Sequence, residues 1–441
     1  MAAPTRFAPP VIKITLLVDV IHFPLYSSFA ARYHSLTLSH HLHTITFMPS
    51  SNLPQPTQEG LQHSQHLQSY IVNKIHESGG WIPFAQFMEL ALYTPGLGYY
   101  SASNVKFGFN GDFVTAPEIS ALFGRTLARQ AMQLFHQIGK ASILEFGAGS
   151  GKLALDLLME LEQFNQLPEQ YLILEISAEL QQRQRMLFET HAPQFLDRIT
   201  WLAQLPDQFS GLIIANEILD AMPTHLILWQ KEALFERGVS ANQQTFSWVD
   251  KPLNHDELLT IANQLSVFIK RDRSDFVSYL SEVSLANRYF IRSLSEILQA
   301  GLILLIDYGF GQREYYHPQR SMGTVMCHYR HFAHDDPFYL PGLQDITSHV
   351  DFSAIAQAAS ESNLQLLGYT NQAHFLINCG ITELLSSVAV TDTLKYLPLS
   401  NQLQRLVSPA EMGELFKVIA LGKRLSEIPV SFTRGSLLHL L

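Results

Sequence analysis

Glu145-Phe146-Gly147-Ala148-Gly149-Ser150-Gly151-Lys152 lies between a short apolar run containing Ile143 and Leu144 and a helical pattern from Leu153 to Leu161. The run has the length and content of a buried strand. A strand that ends in alternate glycines and opens a helix is the first unit of an open α/β sheet. Apolar runs at Tyr171–Ile176, Ile199–Leu202, Leu212–Ala215 and Leu302–Ile306 predict further strands. Helical patterns separate the earlier ones, which calls for right-handed crossovers and a mostly parallel sheet.

The glycine spacing separates three kinds of ligand loop. A Walker A loop needs glycine at 146 and Ser or Thr at 153, where Phe146 and Leu153 stand. A dinucleotide loop needs its third glycine at 152, where Lys152 stands. An acid followed by alternate glycines matches throughout, at Glu145, Gly147, Gly149 and Gly151. That form occurs in methyltransferases that use S-adenosylmethionine (SAM). Glycines let the backbone turn tightly and approach a ligand closely. SAM carries a sulfonium and an ammonium but no phosphate, so the acid at Glu145 suits it better than a helix N-terminus alone. Glu175 closes the second strand, where an acid accepts hydrogen bonds from ribose hydroxyls. An ordinary strand-to-helix turn would explain the glycines alone. With Glu145, Glu175 and the βα alternation, the balance favours a cofactor site.

The chain has 441 residues, 47% hydrophobic and 15% charged, which supports a sizeable core and excludes disorder throughout. Lys+Arg is 29 against 39 Asp+Glu, a net charge of −10, which argues against nucleic acid as the partner. Cys327 and Cys379 can build neither a disulfide framework nor a four-cysteine zinc site. No uncharged apolar run reaches the ~18 residues of a membrane-spanning helix.

Residues 1–47 carry one acid, Asp19, and the apolar run Val11–Leu25 is broken by Lys13, Asp19, His22 and Pro24, unlike a secretory segment. They read as an unstructured extension, or as sequence ahead of a true start at Met48, in preference to a targeting segment. The expected division is an extension to residue 66, with a polar lead-in over 49–66, a helical or lid segment over 67–137, and a methyltransferase domain over 138–425. Insertions are expected at 223–283, beginning with a β-excursion, and at 311–362. Thr115 and Glu118 predict a capping box opening one helix through Met132. Near the C-terminus, Leu364–Gly368 and His374–Ile377 read as strands, and Ser408-Pro409-Ala410-Glu411 as the capped start of a helix.

The fourth strand runs into Asn216-Glu217-Ile218-Leu219-Asp220-Ala221-Met222-Pro223. Ligands of open α/β sheets sit beyond the carboxyl ends of the strands, so Asn216, Glu217 and Asp220 are candidates. Acids at a helix start are the competing explanation, evenly matched for Asp220 and weaker for Glu217. Glu282 also stands before a helix, and a capping role is favoured there. His328, His331 and His334 lack the cysteines and clean helix of a metal site, and read instead as a solvent- or substrate-facing loop. Asp345, His349 and Asp351 form a second polar patch without an assigned role. No Gly-x-Ser-x-Gly elbow supports a serine hydrolase.

Beyond these residues, the chain resembles the MidA family of class I SAM-dependent methyltransferases, which includes mitochondrial complex I assembly methyltransferases. The matching stretches include GDFVTAPEIS (111–120), ILEFGAGSGKLA (143–154), IIANEILDAMP (213–223), LLIDYGF (304–310), GTVMCHYRH (323–331), QDITSHVDF (344–352) and SPAEMGELFKVIALG (408–422), spread over about residues 70–425. The resemblance implies a seven-stranded Rossmann-like sheet with an antiparallel last strand. It implies SAM held by Glu145, Gly147, Gly149, Gly151, Glu175 and Asn216, with no metal. It implies a protein arginine acceptor, with a respiratory-complex subunit as candidate, and catalysis by Glu217 with Asp220 or Glu282. No Asn/Asp-Pro-Pro-Tyr motif follows the fourth strand; Asn216-Glu217 stands there, compatible with a carboxylate holding a guanidinium. The alternatives are an assembly factor that retains a SAM site and a small-molecule methyltransferase. The expected compartment is the cytoplasm of a bacterium, with the mitochondrial matrix as the alternative.

Overall fold

The computed structural model describes residues 46–102, 115–231, 233–270 and 276–441. The expectations for residues 1–45 and for the Gly111–Val114 part of the first matching stretch lie outside them.

Strand β1 (Thr46–Phe47) pairs in parallel with residues 332–333, so the end of the expected extension belongs to the fold. The lead-in is also shorter than expected, because helix α1 (Gln58–Glu77) begins well before Leu67. Thr57 caps it, its hydroxyl oxygen accepting from Gly60 N–H at 3.1 Å, and Leu67, Ile71 and Ile75 bury one face. Strand β2 (Ile82–Pro83) and helix α2 (Phe84–Tyr93) follow. The single helix expected from Thr115 is two, α3 (Ala116–Ile119) and α4 (Ala121–Ile138). The break is Ser120, extended at φ −159°, whose hydroxyl caps α4 through Leu122 N–H at 3.2 Å. Thr115 makes no side-chain cap, and Glu118 instead accepts a hydrogen bond from Ser150.

The main sheet is then laid down by β3 (Ser142–Phe146), α5 (Lys152–Gln163), β4 (Tyr171–Leu174), α6 (Ala178–His191), β5 (Ile199–Leu202) and β6 (Phe209–Asn216). The first insertion contributes β7 (His225–Gln230), β8 (Ala233–Asn242), β9 (Thr245–Pro252), α7 (Asp256–Ile269) and β10 (Ser278–Val283). The chain returns through α8 (Leu285–Ile297) to β11 (Leu298–Phe310). The second insertion holds α9 (Gln312–Tyr315), β12 (Met326–Tyr329), β13 (Phe332–His334), β14 (Asp345–Thr347) and β15 (Val350–Asp351), and α10 (Phe352–Glu361) follows. Strands β16 (Gln365–Asn371) and β17 (Phe416–Lys423) complete the sheet.

The strand order is β16-β17-β11-β6-β3-β4-β5, with β17 antiparallel to both neighbours and the strands from β11 to β5 parallel. This is the class I methyltransferase sheet. Both faces are covered, so side chains of alternate sign of the pleat enter different cores. Ile143, Ile214 and Leu304 pack with α4 and α5, while Leu144, Ile213 and Leu305 pack with α8 and α10. The insertion strands and β2 form a five-stranded sheet, and β1, β12, β13 and β14 a four-stranded one. No helix among the described residues is long and apolar enough to cross a membrane.

Two C-terminal expectations fail. His374–Ile377 is helical, within Gln372–Asn378, because Asn371 caps it, its side chain accepting from His374 N–H at 2.9 Å. Ser408–Glu411 forms a turn ahead of a four-residue helix, and the apolar residues beyond it become β17, inserted between β11 and β16. The histidines are also placed differently from the expected loop. His328 and His334 are buried on β12 and β13, and only His331 lies at the hairpin turn, with φ 66°.

Candidate active site

The glycine loop owes its shape to backbone conformation. Gly147, Gly149 and Gly151 have φ of 59°, 53° and 86°, a region that side chains with a Cβ disfavour. Gly147 N–H donates to Leu174 O at 3.0 Å, tying the loop to β4. Lys152 Nζ turns away to pair with Asp156 at 2.5 Å, so it plays no phosphate-binding part. The cleft over the loop is lined by Gly147–Ser150 together with Thr115, Glu118, Glu145 and Asn216.

Glu145, at the end of β3, is buried and accepts from Tyr171 Oη at 2.7 Å. Burial pushes its carboxyl up to about 7, and the Tyr171 hydrogen bond opposes this. Glu175 lies one strand over, buried, and is not among the residues lining the cleft. Its oxygens accept from Ser177 N–H at 2.9 Å and from Gln184 Nε2 at 3.2 Å. Each carboxylate oxygen has a second lone pair, so these bonds orient the group without exhausting it. Gln184, on α6, also donates to Gly149 O at 2.9 Å and thereby joins the loop to Glu175. Nothing near Gln184 in the sequence signals this; only the fold brings it there.

The second half of the site is the turn after β6. Asn216 donates to Glu217 Oε1 at 3.1 Å, and its own Oδ1 has no hydrogen-bond partner among the described residues. Glu217 is fully buried, and its Oε2 makes no hydrogen bond among the described residues. Its backbone is left-handed, φ 57°, with its N–H donated to Ile306 O at 2.7 Å. Burial, then the neighbouring Asp220, hold its carboxyl well above the usual range, and Asn216 and the Ala116 N–H oppose this in part. Asp220 is also fully buried, and burial raises it to about 7 against the opposing Tyr308 hydroxyl.

Asp307, on β11, is the residue the sequence analysis missed. Its Oδ2 accepts from the N–H groups of Ile218 at 3.1 Å, Leu219 at 2.8 Å and Asp220 at 3.3 Å, so it fixes the turn as an N-cap fixes a helix. Burial, then Asp220 and Glu217, raise its pKa in turn. An isolated acid in an apolar strand, Ile306-Asp307-Tyr308, is the signal that could have exposed it, since a lone acid in a central strand needs donors. Tyr100 enters from the N-terminal segment, its hydroxyl donating to Asp345 at 2.6 Å while Tyr93 Oη reaches Ala221 O at 2.9 Å.

Glu282 is not brought to Glu217 and Asp220. Its carboxylate accepts from Thr324 N–H at 2.5 Å, Val325 N–H at 3.0 Å and Tyr315 Oη at 3.2 Å, and holds the 323–325 loop. The second polar patch is likewise dispersed. Asp345 meets Tyr100, Asp351 caps α10 through Ser353 and Ala354, and the His349 ring stacks on Phe310 at 5.3 Å.

A parallel sheet with an antiparallel seventh strand, a glycine cradle at its first strand and acids at the ligand-side ends define a class I SAM-dependent methyltransferase. The chain belongs to the family described as "Putative S-adenosyl-L-methionine-dependent methyltransferase", whose model matches residues 126–370. Among solved structures, it is similar to a Burkholderia thailandensis protein bound to S-adenosyl-homocysteine, 44% identical over 88% of this chain and 100% of that one, with a TM-score of 0.83. A native structure from the same organism is 43% identical over the same shares, with a TM-score of 0.81. The mitochondrial protein arginine methyltransferase NDUFAF7 of Danio rerio is 29% identical, covering 80% of this chain and 85% of the relative. The Drosophila melanogaster homologue is 28% identical over 78% and 82%. SAM is therefore the cofactor, and the residues present suit it. The cleft offers a carboxylate and an unpartnered amide oxygen, acceptors that match a cation bearing hydroxyls.

Proposed function

We propose that the protein methylates an arginine side chain of a protein. The observation that carries this is the buried acidic turn: Glu217 keeps one oxygen without a hydrogen-bond partner among the described residues while Asp220 and Asp307 crowd the same place. Ionising these acids in a desolvated site is costly, and a guanidinium would relieve that cost. The names of the NDUFAF7 relatives point to the same acceptor.

In this reading Glu145, Gly147, Gly149, Gly151 and Asn216 hold SAM, and Glu175 takes the ribose with help from Gln184. SAM supplies a methyl group on a positively charged sulfur. Glu217 and Asp220 accept from the guanidinium N–H groups and fix its plane, while concentrating its positive charge on the nitrogens they face. The attacking nitrogen must lose a proton, and a buried carboxylate, ionised by the incoming guanidinium and raised above its ordinary basicity, is suited to take it. Asp307 acts through the turn, keeping both acids in place. A respiratory-complex subunit is the first acceptor to test. The higher identity to the Burkholderia proteins than to the mitochondrial relatives supports the bacterial cytoplasm as the compartment.

The test is incubation of the full chain with methyl-labelled SAM and a matched lysate, followed by identification of the labelled residue. Label on an arginine is expected. Label only on small molecules or on other side chains would overturn the acceptor, and no transfer despite SAM binding would favour a partner-binding role.

A further inference from the structure

A cavity of about 260 Å³ borders the 217–223 turn between the first insertion, α8 and α10, and shares no lining residue with the glycine-loop cleft. Three residues that line it hold the turn's carbonyls. Asn287 Nδ2 donates to Leu219 O at 3.2 Å, Ser348 N–H to Asp220 O at 2.9 Å, and Ser284 Oγ to Pro223 O at 3.3 Å. Exposed Gln264 and Gln357 stand at its mouth, and fully buried Thr224 lies deep within it.

The lining is charged and unsatisfied in a particular way. Thr224 Oγ1 and Asn287 Oδ1 are buried acceptors without a hydrogen-bond partner among the described residues, at separate places in the chain. Asp351 is compensated, since Arg288 lies near enough to lower its pKa and Ser353 and Ala354 N–H donate to it at 3.0 and 3.1 Å. Glu282 accepts from the neutral donors Thr324, Val325, Tyr315 and Ser281, donors that suit an ionised carboxylate, and Arg320 lies near enough to feel its charge. Tyr315 and Tyr316, edge to face with centroids 4.9 Å apart, add aromatic surface. Unpaired acceptors, carboxylates and aromatic rings match a planar cation rich in N–H groups better than a compact ammonium, which is more strongly hydrated.

We propose that this cavity anchors a guanidinium side chain of the acceptor protein, an arginine other than the one that is methylated. The inference rests on the reading that the acceptor is a protein. An anchor beside the turn would set the register in which the acceptor is presented, and would do so without touching the cofactor.

The test uses the full chain saturated with S-adenosylhomocysteine, titrated with N-acetyl-L-arginine amide and, as controls, N-acetyl-L-lysine amide and free L-arginine. The arginine amide should bind saturably and more tightly than the lysine amide, and at least as well as free arginine, whose α-carboxylate finds no donor among the unpaired acceptors. Thr224→Val should weaken it about tenfold, the size of one lost bond to a charged donor. Gln264→Arg, at the exposed mouth, should abolish binding by adding a competing cation. Both variants should keep their S-adenosylhomocysteine affinity and melting temperature, and should raise KM for a protein acceptor while leaving kcat. The anchor is overturned by absence of saturable binding, by affinity unchanged in both variants, or by affinity lost only in Glu217→Gln, which would put the ligand at the turn. Arginine methylation with unchanged KM in both variants would remove the anchor and leave the acceptor reading standing. Methylation of another residue type with these binding results intact would do the reverse.

Discussion

The glycine loop and the carboxylate turn both end central strands, yet they are built by different means. In the loop, one short run of sequence sets the backbone shape: three glycines at positive φ make the cradle and an acid precedes it. In the turn, the sequence neighbours Glu217 and Asp220 take their properties from elsewhere, from Asp307 on β11, Tyr308 beside it and Ser348 in the second insertion. Glu145 and Glu217 sharpen the contrast. Both are buried acids at strand ends, but Glu145 has a hydroxyl donor at 2.7 Å, whereas Glu217 faces another acid. Backbone shape can be encoded locally; the charge state of a buried group depends on everything packed around it.

That contrast can be broken at either end. The largest effect is expected for Gly149→Val, which forces a β-branched residue into φ 53° in the loop proposed to hold SAM. SAM affinity measured by calorimetry on the folded variant should fall by roughly a hundredfold or more, about 3 kcal/mol. An unchanged affinity would remove the loop from the cofactor site. Next comes Glu217→Gln, which keeps shape but loses charge. Methyl transfer should drop about ten- to a hundredfold, roughly 1.5–3 kcal/mol, with SAM affinity changed far less. Equal losses in both would move Glu217 to the cofactor side.

The charge of the turn should also show in stability. Asp220 titrates at about 7 in the fold, above the ordinary aspartate value of ~3.9. The native state therefore holds a proton that the unfolded chain releases, and stability must fall as pH rises from about 4 through 7. Urea midpoints should decline across that window, and Asp220→Asn should flatten the decline. A slope insensitive to the substitution would place the titration on another group. The smallest effect is expected for Tyr171→Phe, which takes the hydroxyl from Glu145 and leaves the loop intact. One lost hydrogen bond predicts SAM binding weaker by about 0.5–1.5 kcal/mol, a factor of roughly two to ten. A hundredfold loss would mean that Glu145, and not the backbone, dominates the cofactor site.

The places of the central strands along the chain and the glycine loop were legible because each rests on local pattern: apolar runs of strand length and glycines at fixed spacing. Where long-range partners decide, the sequence misleads. Ser408–Glu411 has the composition of a helix start, but the residues after it are captured as a strand between β11 and β16. Thr115 and Glu118 have capping-box spacing, but Ser150 claims Glu118 from the glycine loop. Glu217 and Asp220 stood out by position, while Asp307 looked like one more residue of an apolar strand until the turn it holds came into view. Glu282, read first as a capping acid, instead holds the 323–325 loop, and Ser284 caps α8.

The left-handed backbone of Glu217 carries a consequence for the history of the sequence. A residue with a Cβ at φ 57° costs roughly 1–2 kcal/mol relative to glycine, and burying an acid there adds to the burden. If folding were all that mattered, drift would have had every reason to install glycine at 217. A glutamate standing there against that gradient points to what the side chain does. Libraries screened for thermal tolerance alone should enrich Glu217→Gly, and libraries screened for growth on the protein's activity should purge it.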